Sequence, residues 1–230
     1  MLDDLRVVRD AAGQMEADLE LLEAVAAGGP PVLRLYRFDP PALTLGRFQP
    51  DDDVDREACA RLGVDVARRP TGGRALLHGP DLTYAVAIPE PGGAAGSVDA
   101  VYRLLAGGLI AGLATLGVDA AVACGDGAPG PVCMVTQQGA DLRVGDRKVC
   151  GSAQVRRRGV VLQHGSILLG RLPFDETDLV HGPVERQTLR ARTVTLAELG
   201  APTDPAVVGE AVVQGFASAL GISPDPVGHR

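Results

Sequence analysis

The sequence contains no tryptophan, and aromatic residues make up only 3% of its 230 positions. Single-stranded nucleic acids are bound on exposed aromatic side chains, so this scarcity disfavours such a partner. The net charge of −7 and the pI of about 5.1 disfavour binding to polyanions in general. No apolar run approaches the roughly 18 residues of a membrane span, and the N-terminus has no apolar segment typical of a signal peptide. We therefore expect a cytoplasmic protein that binds neither nucleic acid nor a membrane.

Several well-known site motifs are also missing. The chain has no GxxxxGK[ST] phosphate loop and no GxGxxG dinucleotide turn. Its four cysteines, Cys59, Cys124, Cys133 and Cys150, form no CxxC pair and lie near no histidine cluster. This spacing predicts neither a metal site nor a disulfide framework, so each cysteine is either a buried apolar residue or a reactive thiol.

A chain of 230 residues can bury a substantial core, and we expect one domain over residues 1–230 with no separate C-terminal accessory domain. Apolar periodicity predicts helices over 14–27, 51–63 and 98–117 and two closing helices over 193–200 and 204–221. Alternating patterns predict strands over 32–38, 42–50, 64–69 and 82–88. Further strands should pair across turns at Gly145–Asp146 and Arg158–Gly159.

Lysine is almost absent. Of the 22 lysine and arginine residues, only Lys148 is a lysine. A primary amine can lose its proton and take part in chemistry, whereas a guanidinium cannot. Lys148 is therefore a candidate catalytic residue, although an arginine-biased composition could also leave one lysine by accident.

A second candidate region surrounds Thr71, Gly72 and Gly73. These residues have little side-chain bulk, so the backbone there can approach a ligand and offer N–H groups to it. A tight hairpin turn is the alternative for the glycines alone. The flanking residues favour a binding loop, because Arg68, Arg69, Arg74 and His78 bracket it.

Four separately spaced motifs carry a family resemblance. RRPTGGRALLHGPDLTYAV (68–86) resembles the RRxTGG signature of the lipoate ligase and octanoyltransferase group, and LTLGRFQP (43–50) resembles its LGRxQ strand. Residues 14–22 resemble the opening helix of this group. Its lysine-bearing core is resembled by residues 145–169, which contain GDRKVCGSAQ and QHGSILL. The resemblance implies the catalytic-domain fold of biotin and lipoate protein ligases. That fold is α+β, with a mixed, largely antiparallel β-sheet flanked by helices.

Within this group the sequence looks most like the cysteine-dependent octanoyltransferases. They share an arginine after TGG, here Arg74, and a cysteine ahead of the lysine at the spacing of Cys133 and Lys148. The resemblance implies transfer of octanoyl from acyl carrier protein, through a cysteine thioester, to a lysine of a lipoyl-bearing protein in lipoate biosynthesis. Such an acceptor is glycine cleavage H protein or an E2 lipoyl domain. It implies no cofactor, and ATP only if the chain is a ligase.

The same resemblance implies the site residues. Cys133 and Lys148 would be catalytic, and no metal is expected. The substrate-binding residues come from the TGG region, the GSAQ run and the HGS strand: Arg69, Thr71, Gly72, Gly73, Arg74, His78, Gly151, Ser152, Ala153 and His164. Gly72 and Gly73 would form part of an apolar acyl tunnel.

Alternatives remain open at this point. Cys150, two residues beyond Lys148, competes with Cys133 as nucleophile, although a packed core thiol is its default interpretation. His164 is by default a hydrogen-bonded buried histidine. Three arginines at 156–158 form either a solvated hairpin tip or a patch that attracts acidic partners. The chain could also be an ATP-dependent lipoate ligase, an amidotransferase between lipoyl-bearing proteins, or a non-catalytic binding subunit.

Overall fold

Two β-sheets organise the protein, which we describe from a computed structural model over residues 2–92, 96–123, 141–183 and 185–221. The larger sheet has seven strands in the order β1-β2-β6-β10-β9-β8-β7, and the smaller has three in the order β4-β3-β5. The strands of the larger sheet are β1 (Leu2–Asp3), β2 (Val32–Tyr36), β6 (Asp81–Pro89), β7 (Ala121–Val122), β8 (Leu142–Val144), β9 (Arg147–Arg157) and β10 (Val160–Leu168). Those of the smaller sheet are β3 (Ala42–Leu45), β4 (Asp65–Arg68) and β5 (Leu76–His78).

Both sheets are mixed, with mostly antiparallel pairs. Only β1–β2 and β3–β4 are parallel, whereas β2, β6, β10, β9, β8 and β7 pair antiparallel in succession. The predicted fold class is confirmed, but its single sheet is divided in two. This division leaves a space between the sheets, and the candidate site lies there.

Five helices cover the sheets in the described residues: α1 (Ala11–Ala26), α2 (Arg56–Arg61), α3 (Val98–Thr115), α4 (Arg186–Arg192) and α5 (Pro205–Leu220). Side chains of α3 and α5 share an apolar cluster with one face of the larger sheet, for example Leu109 and Phe216 with Tyr84. Residues of α1 cluster with the opposite face, where Leu22 is fully buried beside Ala85 and Leu162.

The helix ends follow the sequence closely. Asp10, Ser97 and Asp204 each accept a backbone N–H of the first turn of their helix, and Pro205 occupies the first helical position of α5. Helix α3 is long and apolar enough to span a membrane by length and composition, which corrects the expectation that no segment approaches that length. It serves here as a core helix, because Leu105, Leu109 and Leu113 are fully buried.

The prediction of a helix over 193–200 is wrong. Only Ala197–Leu199 forms a helical turn there, and Thr193, at the start of the segment, is extended. The Val194 N–H donates to the Lys148 carbonyl at 2.9 Å, and the Leu196 N–H donates to the Leu168 carbonyl at 2.8 Å. These two hydrogen bonds attach the segment to β9 and to the end of β10. The helix at Arg186–Arg192 was not predicted.

Candidate active site

A cavity lies between the two sheets, and the motif residues meet there. It contains about 360 Å³ of space between protein atoms, part of it open to solvent. Its lining comes from α1, from both sheets and from the loop after β4: Met15, Tyr36, Thr44, Arg69, Leu76, His78, Thr83, Gly151, Ser152, Ala153, His164 and Gly165. Six of the predicted site residues are therefore brought together.

Arg69 fastens the TGG loop beside this cavity. Its side chain is 5% exposed, and its guanidinium donates to the carbonyls of Thr44 at 2.9 Å, Gly72 at 3.0 Å and Arg74 at 2.6 Å. The fixed fork of donors on an arginine suits such a role. Arg74 itself is exposed and approaches Asp53 at 4.0 Å, so its backbone, and not its side chain, takes part in the loop.

Gly46 of the LGR motif lets the TGG loop pack closely against β3. A Cβ at Gly46 would lie 1.9 Å from the Gly73 carbonyl oxygen, a contact that no other residue could accommodate. Gly73 adopts a φ of 93°, which favours glycine. At Gly72 no heavy atom lies within 4 Å of the Cβ position. Gly72 and Gly73 are not among the lining residues of the cavity, so their place in an acyl tunnel stays a prediction.

A buried relay of hydrogen bonds joins the TGG loop to α1. His164 Nδ1 lies 3.0 Å from Asp18 Oδ2, and His164 Nε2 lies 2.7 Å from the Thr71 hydroxyl oxygen. Burial lowers the pKa of His164, although the Asp18 carboxylate opposes that shift. The neutral ring therefore donates from Nδ1 to Asp18 and accepts the Thr71 hydroxyl proton at Nε2. Asp18 also accepts from the Tyr36 hydroxyl at 2.8 Å and from Arg34 at 2.7 Å.

A second relay of the same design lies across the cavity. His78 Nδ1 is 2.9 Å from Asp81 Oδ2, and His78 Nε2 is 3.0 Å from the Thr44 hydroxyl oxygen. The hydroxyls of Thr83 and Ser166 also donate to Asp81, at 3.0 and 2.6 Å. Burial is the largest influence on the pKa of Asp81 and raises it, but His78 and these hydrogen bonds together hold it below its usual value. The two relays tie both sheets to the cavity.

The GSAQ run of β9 borders the cavity from the larger sheet. Ala153 pairs with His164 of β10, and Gly151 pairs with Ser166. The Ser152 hydroxyl lies 2.8 Å from the Tyr84 hydroxyl. The small residues of this run keep space open between the sheets.

Lys148 lies on β9, three residues before Gly151. It is fully buried and is not among the residues that line the cavity. Its Nζ lies 2.8 Å from Asp141 Oδ2, while Asp141 Oδ1 accepts the Ser152 N–H at 3.2 Å. Asp141 thus connects the amine to the strand that borders the cavity. A buried ion pair of this kind holds a charge at a defined position more than it stabilises the fold.

The structure describes one of the two cysteine candidates for the nucleophile, Cys150. Cys150 is fully buried, and burial together with the Asp141 charge raises its pKa to about 12. The thiolate fraction at pH 7 is then on the order of one in 10⁵, too small for an efficient nucleophile. Its default interpretation as a packed core thiol is supported, and buried Cys59 is similar. Cys133 and Cys124 lie outside the described residues.

Sequence reasoning named Thr71, which holds His164, but missed the two carboxylates and the Thr44 hydroxyl that also hold the histidines. Asp18 lies on the apolar face of α1 with Met15 and Leu22, and a carboxylate at such a position signals a buried partner. Asp81 begins an otherwise apolar strand three residues after His78, which is a similar signal. Across the described ranges, no group of three or more His, Cys, Asp or Glu side chains could hold a metal ion.

Comparison with known proteins gives consistent matches. Residues 10–217 match the model of the lipoyl protein ligase A/B catalytic domain. The chain is 45% identical over 216 residues to octanoyltransferase LipM of Symbiobacterium thermophilum, covering 86% of this chain and 77% of that protein. It is 41% identical to octanoyltransferase LipM of Kyrpidia tusciae, covering 94% and 85%. A putative lipoate protein ligase from T. acidophilum with bound lipoic acid has the same fold, with a TM-score of 0.76, 24% identity and coverage of 96% and 86%.

Proposed function

Because the chain belongs to the lipoyl protein ligase A/B catalytic domain family, we propose that it transfers octanoyl from acyl carrier protein to a lipoyl-bearing protein. The family resemblance of the motifs is confirmed, and so is the prediction of an acyltransferase enzyme. The donor, the acceptor and the thioester intermediate are our proposal. The acceptor would be glycine cleavage H protein or an E2 lipoyl domain.

The convergence of motif residues on one cavity carries this proposal. The TGG, GSAQ and HGS segments are far apart in the chain, yet Arg69, Ala153 and His164 line the same space. That space has a largely apolar outline with a few placed polar groups, which suits a medium-length acyl chain that ends in a carbonyl.

In the first half-reaction, the Cys133 thiolate attacks the carbonyl carbon of the octanoyl thioester. The carbon–sulfur bond to the carrier breaks, and the carrier thiolate leaves and takes up a proton. Exchange of one thioester for another is nearly balanced in free energy, so this step needs no ATP.

In the second half-reaction, the neutral amine of the acceptor lysine attacks the Cys133 thioester. The carbon–sulfur bond to Cys133 breaks, an amide forms and the nitrogen loses a proton. Lys148 can contribute in either step, as a cation that favours the thiolate and the oxyanion or as a proton carrier. Its pairing with Asp141 at 2.8 Å supports a fixed position for the charge.

Intact-mass analysis tests the proposal. The protein is incubated with octanoyl carrier protein without ATP, and we expect an octanoyl adduct that hydroxylamine removes. Cys133→Ala should abolish the adduct. Cys150→Ala is the matched control and should retain it, because that thiol is buried with a pKa of about 12.

The other outcomes identify the alternatives. Loss of the adduct in Cys150→Ala but not in Cys133→Ala would assign the nucleophile to Cys150. Absence of any adduct together with ATP-dependent formation of octanoyl-AMP would identify a ligase. An adduct formed only from an octanoylated lipoyl-bearing protein would identify an amidotransferase.

A further inference from the structure

A groove with an unusual charge lies next to the acyl cavity. It contains about 1160 Å³ of space open to solvent, between α1, β4 and the end of β9. Of its thirteen lining residues, four are arginines, Arg47, Arg68, Arg69 and Arg157, and the one acidic residue is Glu16. We call it the arginine groove. The lining side chains carry a formal charge of +3, from four arginines and one glutamate, whereas the whole protein carries −7.

The arginine groove and the acyl cavity share two side chains. Met15 and Arg69 line both spaces, and each is 5% exposed. Between the arginines the groove is apolar, with Leu19 and Leu22 of α1 opposite Val66 of β4. The groove and the cavity are therefore neighbouring spaces that share a wall.

The four arginines differ in how much charge they present to solvent. Arg68 donates to the Gly46 and Gln49 carbonyls and pairs with Asp51 at 2.8 Å, and Arg69 is held in the TGG loop. The Arg157 side chain is 58% exposed, with Glu23 at 3.8 Å. Two of the groove arginines are thus engaged in holding the local structure.

Arg47 forms the opposite rim together with an exposed aromatic ring. Its guanidinium lies 5.3 Å from the centroid of the Phe48 ring, and Phe48 is 83% exposed. In a chain with only 3% aromatic residues, such an exposed phenylalanine is conspicuous. Arginine and aromatic residues are the types most enriched among residues that dominate binding energy at interfaces.

We propose that the arginine groove docks the acidic carrier protein that donates the acyl group, an inference that rests on the proposed function. The acyl chain of such a donor hangs from a long arm attached through a phosphodiester, and arginine pairs well with both phosphate and carboxylate groups. Because the groove adjoins the cavity, a carrier docked on the groove would bring its arm next to the acyl site. An acceptor lysine needs to reach only the carbonyl carbon and has no arm to place.

Charge reversal at the rim tests this assignment. We compare Arg47→Glu, Arg157→Glu and Phe48→Ala in the rate of acyl-enzyme formation from octanoyl carrier protein and from octanoyl pantetheine, which lacks the protein and the phosphate. With the carrier we expect kcat/KM of the two charge-reversed variants to fall about tenfold or more at low salt, and this deficit to shrink as salt is added. Phe48→Ala should lower kcat/KM by an amount that does not depend on salt, because it changes no charge. With octanoyl pantetheine the change should be at least about five times smaller.

Arg103→Glu is the matched control. Arg103 lies on α3, on the other side of the larger sheet, is 72% exposed and pairs with Asp99 at 2.9 Å. This variant carries the same charge change and should alter both rates by less than about twofold. Unchanged melting temperatures would show that the rim variants are folded.

Two results would overturn the inference. Equal losses with octanoyl carrier protein and octanoyl pantetheine would place the rim residues in the acyl site and not in donor docking. A deficit confined to transfer from preformed acyl-enzyme to the acceptor would assign the groove to the acceptor. Failure of the proposed function itself looks different, because the unmodified protein would then form no acyl-enzyme from either thioester.

Discussion

Replacing Asp18 by asparagine should strongly destabilise the protein, because this side chain holds three donors in the core. It is fully buried. Its Oδ1 accepts from Arg34 at 2.7 Å, while its Oδ2 accepts from Tyr36 at 2.8 Å and lies 3.0 Å from His164 Nδ1. An asparagine has one acceptor oxygen and one NH2 group, so in either orientation a donor faces a donor. The variant also leaves the buried Arg34 without one of its two carboxylate partners.

The expected loss of unfolding free energy follows from these contacts. Removing one partner of a buried ion pair costs about 3–5 kcal/mol of stability. In Asp18→Asn, Arg34 still pairs with Asp4 at 2.7 Å, so the loss should lie near the lower end of this range. We expect about 3 kcal/mol for Asp18→Asn. Tyr36→Phe removes a single hydrogen bond to the carboxylate and should cost about 1.5–3 kcal/mol.

Guanidinium denaturation measures both losses through the shift of the midpoint at constant slope. Asp119→Asn changes an exposed aspartate and should lie within about 0.5 kcal/mol of the unmodified protein. A loss below about 1 kcal/mol for Asp18→Asn would refute the reasoning, because it would mean that the three donors find other partners.

Three further predictions concern single side chains. Burial raises the pKa of Glu176 from 4.5 to about 7. Its contribution to the free energy of unfolding is therefore complete below about pH 4.5 and is lost, by roughly 3 kcal/mol, as pH rises through 7. In denaturation at pH 5 and 8, Glu176→Gln should remove this loss of stability with pH, and an equal loss in the variant and the unmodified protein would contradict the prediction. A Cβ at Gly165 would lie 2.5 Å from the Gly151 carbonyl oxygen, so Gly165→Ala should lower the stability measured in thermal unfolding by about 1–3 kcal/mol. The control is Gly107→Ala, whose Cβ would have no heavy atom within 4 Å and which should raise the stability by about 0.5–1 kcal/mol. Lys148→Arg keeps the positive charge but cannot lose a proton, and it should slow acyl-enzyme formation, followed by intact mass, about 10²-fold or more if Lys148 carries a proton. A near-normal rate would contradict proton transfer and leave Lys148 the role of a fixed cation.

Local sequence chemistry predicted the elements whose ends depend on one or two residues. The turn at Gly145–Asp146 and the turn at Arg158–Gly159 appear where expected, with positive φ angles at Gly145, Arg158 and Gly159. Asp204 and Pro205 begin α5 as predicted. These features are set by backbone preferences of adjacent residues, so a short window of sequence contains the information.

The absence of a helix over 193–196 was not predictable in the same way. Its apolar spacing is helical, but the carbonyls of Lys148 and Leu168 accept its N–H groups. Those acceptors come from strands formed some 25 to 45 residues earlier in the chain, so only the assembled sheet shows that they are available.

The sequence by itself determined that the chain is an α+β member of its family, because the TGG, GSAQ and HGS motifs are local patterns of small and polar residues. Only the tertiary structure decided how the site is held. His164 depends on Asp18, which is 146 residues away, and on Thr71, which is 93 residues away. The tertiary structure also decided that Cys150 is a buried thiol with a raised pKa, since the burial that raises the pKa comes from packing. Burial and long-range pairing are properties of the folded chain, and no local pattern of residues specifies them.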